Sequence, residues 1–217
     1  MLAMATRGEA LDGDWLVAER QTAGRGRRGR EWVSPPGNLY ASGLVALRPA
    51  DPPPPTLALV AGVAVHEALA VPELMLKWPN DVVHMRSLAK ISGILIERQG
   101  DWVVIGIGVN LVHAPDLTDR AAGYLSALGS AVSPQALVGT LASCFASRLG
   151  DWRADVATIF NVWTAHAHPI GTPLAAEVVD GTRIVGHFDG LTDIGALRLK
   201  LPDGATRVIH AGDVFLI

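Results

Sequence analysis

Ala18-Glu19-Arg20-Gln21-Thr22-Ala23-Gly24-Arg25-Gly26-Arg27-Arg28-Gly29-Arg30-Glu31-Trp32 is the stretch around which the chain is organised. Five of the eighteen basic residues lie between positions 20 and 30, interleaved with three glycines. An apolar run, Trp15 to Ala18, precedes it. Another, Leu39 to Leu47, follows the breaker Ser34-Pro35-Pro36-Gly37. The pattern predicts strand, glycine-arginine loop, strand. Glycine allows close backbone approach to a ligand, and arginine offers a planar fork of donors for carboxylate or phosphate. Such a loop suits closure over a small anion. Taken alone it also fits a solvated basic surface loop or an arginine-rich nucleic-acid strip. The net charge of −3 and the sequence pI near 6.1 count against nucleic acid, whose partners are basic overall.

Working outward, residues 3 to 10 read as the tail of a helix, and Pro52 to Pro55 as a stiff linker into a buried helix, Leu57 to Ala70. Leu74 to Trp78 is strand-like and stops at Pro79-Asn80-Asp81. Leu88 to Glu97 and Trp102 to Val109 read as adjacent strands joined near Gln99-Gly100-Asp101. Residues 113 to 132 look loop-rich, and helices are expected at about 135–149 and 152–166. After His168-Pro169, strand-sized runs at 173–179, 182–189, 195–201, 205–209 and 213–217 alternate with Asp-Gly and similar turn signals. That texture predicts a small β module, so the chain divides into residues 1–168 and 169–217.

Composition narrows the class. At 49% hydrophobic and 18% charged, 217 residues can bury a sizeable core. No apolar run is long enough to span a membrane, and the first fifteen residues lack a signal-peptide core, so a cytoplasmic location is expected. The single cysteine, Cys144, fits a reducing compartment and reads as buried filler of a helix.

Lysine is scarce, three against fifteen arginines, yet Lys77 and Lys90 flank Trp78-Pro79-Asn80-Asp81. A compact ammonium at a strand end suits an anionic ligand; the plain alternative is a snorkelling surface lysine. Asparagine is also scarce, four in all: Asn80 and Asn110 end strand-like runs and Asn38 starts one. Asn110 alone also fits a turn residue. Gly106 and Gly108, in Ile105-Gly106-Ile107-Gly108-Val109-Asn110, lack the following helix of a dinucleotide fingerprint and suit close packing on a strand. No metal site and no serine–histidine–acid set stands out.

These residues together carry a resemblance. Gly24 to Arg30 with Trp32, then Lys77-Trp78-Pro79-Asn80-Asp81, then Lys90-Ile91-Ser92-Gly93-Ile94-Leu95-Ile96-Glu97, then Gly106-Ile107-Gly108-Val109-Asn110 are similar to biotin–protein ligase in order and spacing. The likeness covers essentially the whole chain. It implies an α+β fold: a mixed β-sheet flanked by helices, class II aminoacyl-tRNA synthetase-like, followed by a small SH3-like β-barrel. It further implies ATP-dependent ligation of biotin, through biotinyl-5'-AMP, to one lysine of a biotin carboxyl carrier protein domain of a carboxylase, with Mg2+ accompanying ATP.

By that resemblance Gln21, Gly24, Arg25, Gly26, Arg27, Lys90 and Gly93 should hold biotin. Arg28, Arg30, Trp32, Lys77, Asn80, Asp81 and Asn110 should serve the nucleotide, and Arg27, Lys90 and Asp81 the chemistry. Asp81 either favours magnesium near the phosphates or accepts the proton of the attacking lysine. A Ser-Thr-Asn triplet common in the family would lie upstream of Met1 and is absent from this sequence. So is the winged helix of relatives that repress transcription, and no nucleic-acid or membrane partner is expected. A truncated or non-catalytic biotin binder and a lipoate- or octanoate-transferring relative are the alternatives. A homodimer is left open.

Overall fold

The computed structural model describes residues 1–116 and 121–217; the part of the expected loop at 117–120 lies outside them. Its first strand β1 (Trp15–Ala18), with β2 (Leu39–Ala46), β3 (Leu74–Lys77), β4 (Asp81–His84), β5 (Lys90–Gln99) and β6 (Trp102–Val109), forms a six-stranded sheet in the order β1-β2-β6-β5-β4-β3. Each ladder between these strands is antiparallel. Parallel pairing enters among the described residues as isolated bridges, Leu76 to Ala167 and Lys90 to Ala122.

Successive side chains of a strand point to opposite faces, and the sheet uses the two faces differently. One face, with Val103, Ile105, Ile107 and Val109 of β6 and Ile94 of β5, packs in the main core. Helices α2 (Leu57–Leu69), α3 (Pro134–Ala154) and α4 (Val156–Ala165) contribute Val60, Val63, Leu141, Trp152 and Trp163 to that core. The other face carries the short helix α1 (Leu2–Thr6) at one end, where Ala5, Ala10, Leu44 and Val104 form a second cluster. Its remaining area, floored by glycines, is left for the cavity described below.

Two elements differ from the sequence pattern. Strand β4 was not expected, because its residues follow directly on Pro79-Asn80, which reads as a strand-ending turn. It is made by the tight turn at Trp78–Asn80, which contains a cis Trp78–Pro79 bond and sets Lys77 opposite Asp81. Helix α3 runs through Gly150, where a break was expected. Tertiary contacts hold its last turn: Trp152, fully buried, donates from Nε1 to Thr56 Oγ1 at 2.7 Å, and Arg153 pairs with Asp51 at 3.2 Å. These outweigh the roughly 1 kcal/mol cost of a helical glycine. The boundary falls instead at Asp155, whose carboxylate accepts from Ala157 N at 3.0 Å and caps α4.

Strands β7 (Pro173–Val178), β8 (Arg183–Leu191), β9 (Leu197–Lys200), β10 (Thr206–Ile209) and β11 (Gly212–Leu216) form a second, five-stranded sheet in the order β10-β9-β8-β7-β11. Phe188 of β8 meets Trp163 of α4 edge-on at 6.4 Å, and Trp78 donates to Gly195 O at 3.1 Å. The second sheet thus shares the main core, and Leu174, Phe188, Leu197 and Val214 belong to it.

His168 lies in the link into β7. It is 3% exposed, and its Nε2 has no hydrogen-bond partner among the described residues. Burial, aided by the charge of Lys77, holds its pKa down to about 4. Above pH ~6.5 the ring is neutral in both folded and unfolded chains and costs nothing. As pH falls from ~6.5 towards 4, the unfolded chain gains a proton that the folded one refuses, and stability is lost. Between pH 7 and pH 5 the His168→Gln variant should retain about 2 kcal/mol that the parent loses. Urea unfolding at both pH values measures this, and equal losses in the two proteins would refute it.

Candidate active site

The basic loop folds back on itself as a tight excursion between β1 and β2. Trp32 N donates to Gly24 O at 2.9 Å and Gly26 N to Arg30 O at 2.7 Å, with Arg25 bridged to Glu31. Arg28 and Gly29 turn the chain at φ 56° and 71°. A Cβ on Gly24 would stand 2.3 Å from Trp32 O, so the fold-back requires glycine there. Trp32 is thereby laid over β5 and β6, where Gly93 and Gly108 face each other in register. A Cβ on Gly108 would lie 2.5 Å from Trp32 Cε2, and one on Gly93 2.9 Å from Cζ3. The indole is seated in a slot that exists because two side chains are missing. Its buried Nε1–H has no acceptor among the described residues.

Beneath the loop lies a cavity of about 580 Å³. From the first strand of its floor, Lys90 Nζ stands 5.3 Å from the Trp32 ring centroid and 2.6 Å from Asp81 Oδ1. Asp81 also faces Lys77 at 4.0 Å. This carboxylate lies between two ammonium groups, and its ion pair with Lys90 sets that side chain over the floor. The main chain of Lys90 is clamped as well: its N–H donates to Ala121 O at 2.9 Å and its C=O accepts from Gly123 N at 3.0 Å.

Asn110 supports that clamp. Its Nδ2 donates to Gly123 O at 3.0 Å and Lys90 O at 3.3 Å. Asn38, buried at the start of β2, accepts on one oxygen from the backbone N–H groups of Leu111, Val112 and His113 at 2.9, 3.0 and 3.2 Å. Asn80 donates to Ile94 O at 2.7 Å and accepts from Arg27 at 3.2 Å. Arg27, Arg28 and Arg30 reach further, to Asp213 of the second sheet. Burial pulls the Arg27 pKa below its ordinary value, opposed by the nearby charges of Asp213 and Asp81. A second, more apolar cavity of about 470 Å³ lies between the Pro53–Leu59 segment, Trp78 and the second sheet. It shares Arg27, Asn80, Ile94 and Leu95 with the first.

Comparison with known proteins agrees with this geometry. Residues 8–110 match the model of the Biotin/lipoate A/B protein ligase family, and residues 176–217 that of the Biotin protein ligase C terminal domain. The chain is 39% identical to a biotin--[acetyl-CoA-carboxylase] ligase of Paracoccus denitrificans, covering 93% of this chain and 89% of that one. The chain belongs to the biotin protein ligase family. A biotin--[acetyl-CoA-carboxylase] ligase of Mycobacterium tuberculosis is 36% identical over 99% of this chain and 83% of its own. The solved biotin protein ligase from Aquifex aeolicus in complex with biotin and ATP superposes with a TM-score of 0.83 at 28% identity, covering 96% of this chain and 90% of that one.

Most residues expected from the family motifs line the larger cavity: Gln21, Arg25, Gly26, Arg27, Arg30, Trp32, Asn80, Asp81, Lys90, Gly93 and Asn110. Gly24, Arg28 and Lys77 do not line it, although Gly24 shapes the loop and Lys77 faces Asp81. The amide of Asn110 is occupied by backbone carbonyls, so its plainest action is to fix Lys90. Arg25 pairs with Glu97 at 2.9 Å across the cavity rim, and Gln21 Oε1 accepts from Ser34 Oγ at 2.9 Å. Two participants escaped the motif reading. Asn38 had one signal, the rarity of asparagine; Asp213, beside a glycine in the last strand, had none.

Proposed function

We propose that the protein joins biotin to ATP and hands the biotinyl group to a carrier lysine. One observation carries this reading: Arg27, Trp32, Asn80, Asp81 and Lys90, from separate chain segments, converge on one glycine-floored cavity. In the first step a biotin carboxylate oxygen bonds to the α-phosphorus, and the bond to pyrophosphate breaks. In the second the lysine amine attacks the acyl carbon, AMP leaves, and the amine loses a proton. Both steps develop charge on oxygen, and fixed cations stabilise it.

Lys90 meets the carboxylate and the phosphate bonded to it, held in place by Asp81. Arg27 stands beside it, Gln21, Arg25, Gly26 and Gly93 form the biotin side of the cavity, and Gly24 acts by shaping the loop above it. Arg28, Arg30, Trp32, Lys77 and Asn80 serve the nucleotide, with Asn110 acting through the Lys90 main chain. Stacking by Trp32 suits a base. Magnesium would come with the nucleotide and neutralise charge on its phosphates; Asp81 and Asp213, which face cations, are the nearest carboxylates, and no group of three His, Cys, Asp or Glu side chains that could hold a metal occurs among the described residues.

Finer aspects are part of the same reading. The chain works as two units, residues 1–168, class II synthetase-like, and 169–217, an SH3-like barrel; the two separate sheets support this. The acceptor is the biotin carboxyl carrier domain of a carboxylase. Net acidity supports the absence of a nucleic-acid partner. No helix among the described residues is long and apolar enough to cross a membrane, and a cytoplasmic setting suits the single free cysteine. A homodimer is compatible with β1 ending the sheet, where it pairs on one side only among the described residues.

The test is biotin-dependent exchange of labelled pyrophosphate into ATP, followed by biotin transfer to a carrier domain. Exchange with biotin and not with lipoate is expected. Biotin binding without exchange would replace the ligase by a binder, and exchange with lipoate alone would change the substrate.

A further inference from the structure

Asp213 sits on β11 opposite Glu177 of β7, so the ladder of the second sheet fixes its main chain. Its carboxylate meets three guanidiniums of the basic loop. Arg27 Nη1 is 3.5 Å from Oδ1, Arg28 Nη1 is 3.4 Å from Oδ2, and Arg30 Nη2 is in direct contact with Oδ2. Both Arg27 terminal nitrogens also donate to Gly212 O, at 3.3 Å. One negative charge therefore serves three positive ones, at about one-fifth side-chain exposure against a quarter to a third for the arginines. The same carboxylate lines the larger cavity.

To a guanidinium fork, a carboxylate oxygen and a phosphate oxygen are interchangeable acceptors. We propose that Asp213 occupies the seat of the pyrophosphate leaving group and competes with it for Arg27, Arg28 and Arg30. The proposal rests on the nucleotide reading of Arg28 and Arg30 and on the place of Arg27 beside the reacting carboxylate and phosphate. Without ligand, Asp213 holds the loop against the second sheet and offsets the mutual repulsion of its cations. A pyrophosphate, carrying several charges, takes the arginines from it. After adenylation Asp213 takes them back, which lowers the affinity for the product and favours its departure. Asp213 is a positioning residue that acts through the loop.

Two readouts on the full chain test this, each comparing the parent with Asp213→Asn and Asp213→Glu. The first is tryptic cleavage at the loop arginines without ligand, followed by mass spectrometry. Asp213→Asn should be cut about tenfold faster, and Asp213→Glu, which keeps the charge, close to the parental rate. The second is the pyrophosphate concentration that protects the loop, which should fall about tenfold in Asp213→Asn. Equal cleavage of parent and Asp213→Asn would overturn the latch. An unchanged or raised protecting concentration would overturn the competition and leave Asp213 merely structural. Pyrophosphate protecting none of the three proteins, with the cleavage difference present, would overturn the nucleotide reading itself.

Discussion

Replacing Lys90 by alanine should lower biotin-dependent pyrophosphate exchange by at least about 10²–10³-fold while the protein still folds. The ammonium is the cation most firmly directed over the floor. It is 2.6 Å from Asp81 and 5.3 Å from the Trp32 ring, and its side chain is 15% exposed. An arginine would not replace it, because Cε and Nζ already lie 2.8 Å from the point where a Gly93 Cβ would stand, and a planar fork needs more room. The fold should persist because the main chain of residue 90 is bonded on both sides to the 121–123 segment, bonds that need no side chain. Loss of the ion pair should cost about 1–3 kcal/mol, with Asp81 still facing Lys77. Exchange assays with circular dichroism and urea unfolding separate the two effects. Near-normal exchange in Lys90→Ala would remove Lys90 from the chemistry.

Gly108→Ala should act on the nucleotide side. The added methyl would fall 2.5, 2.6 and 2.7 Å from Cε2, Cζ2 and Nε1 of Trp32, against the flat of a rigid ring. Strand β6 cannot yield easily, since it is laddered on both sides and Gly108 O also accepts from Ser92 Oγ at 2.8 Å. The indole must therefore leave its slot. Overpacking of this kind costs on the order of 1–3 kcal/mol, and if it falls on the bound state the KM for ATP rises by up to about 100-fold. Trp32→Phe serves as the reference for fluorescence: the change in emission between parent and Gly108→Ala should be absent when Trp32 is already gone. An unaltered KM for ATP in Gly108→Ala would show that the seat of Trp32 does not matter to the nucleotide.

The parts of the site that could be read in the sequence are those carried by contiguous motifs. Gly24 to Trp32, Lys77 to Asp81 and Lys90 to Gly93 each hold several unusual residues within a few positions, and each contributes to the cavity. Helix α2 and strands β2, β5 and β6 were legible because their apolar runs are long. Strand β4 was not, since its pairing comes from a turn and not from a pattern of its own. Asp213 was invisible for a different reason. It stands 183 positions from Arg30 in an ordinary strand, and only the packing of the second sheet against the first brings the two together. Asn38 shows the same limit: a residue that bonds main chain leaves no chemical signature in its neighbours.

The three glycines of the floor divide space unequally between protein and ligand. At Gly93 and Gly108 the absent methyl is volume claimed by the protein's own Lys90 and Trp32. Gly106 lies beside them on β6, yet a Cβ there would meet its nearest neighbours, Leu95 O and Cβ, at 3.6 and 3.8 Å, an ordinary contact. Above Gly106, no side chain of the described residues other than Leu95 comes within 4 Å of that point, and the space opens into the cavity. A side chain grown at that point would subtract from the guest and not from the host. A Gly106→Ala substitution is therefore expected to take volume from the cavity while leaving Lys90 and Trp32 in their seats.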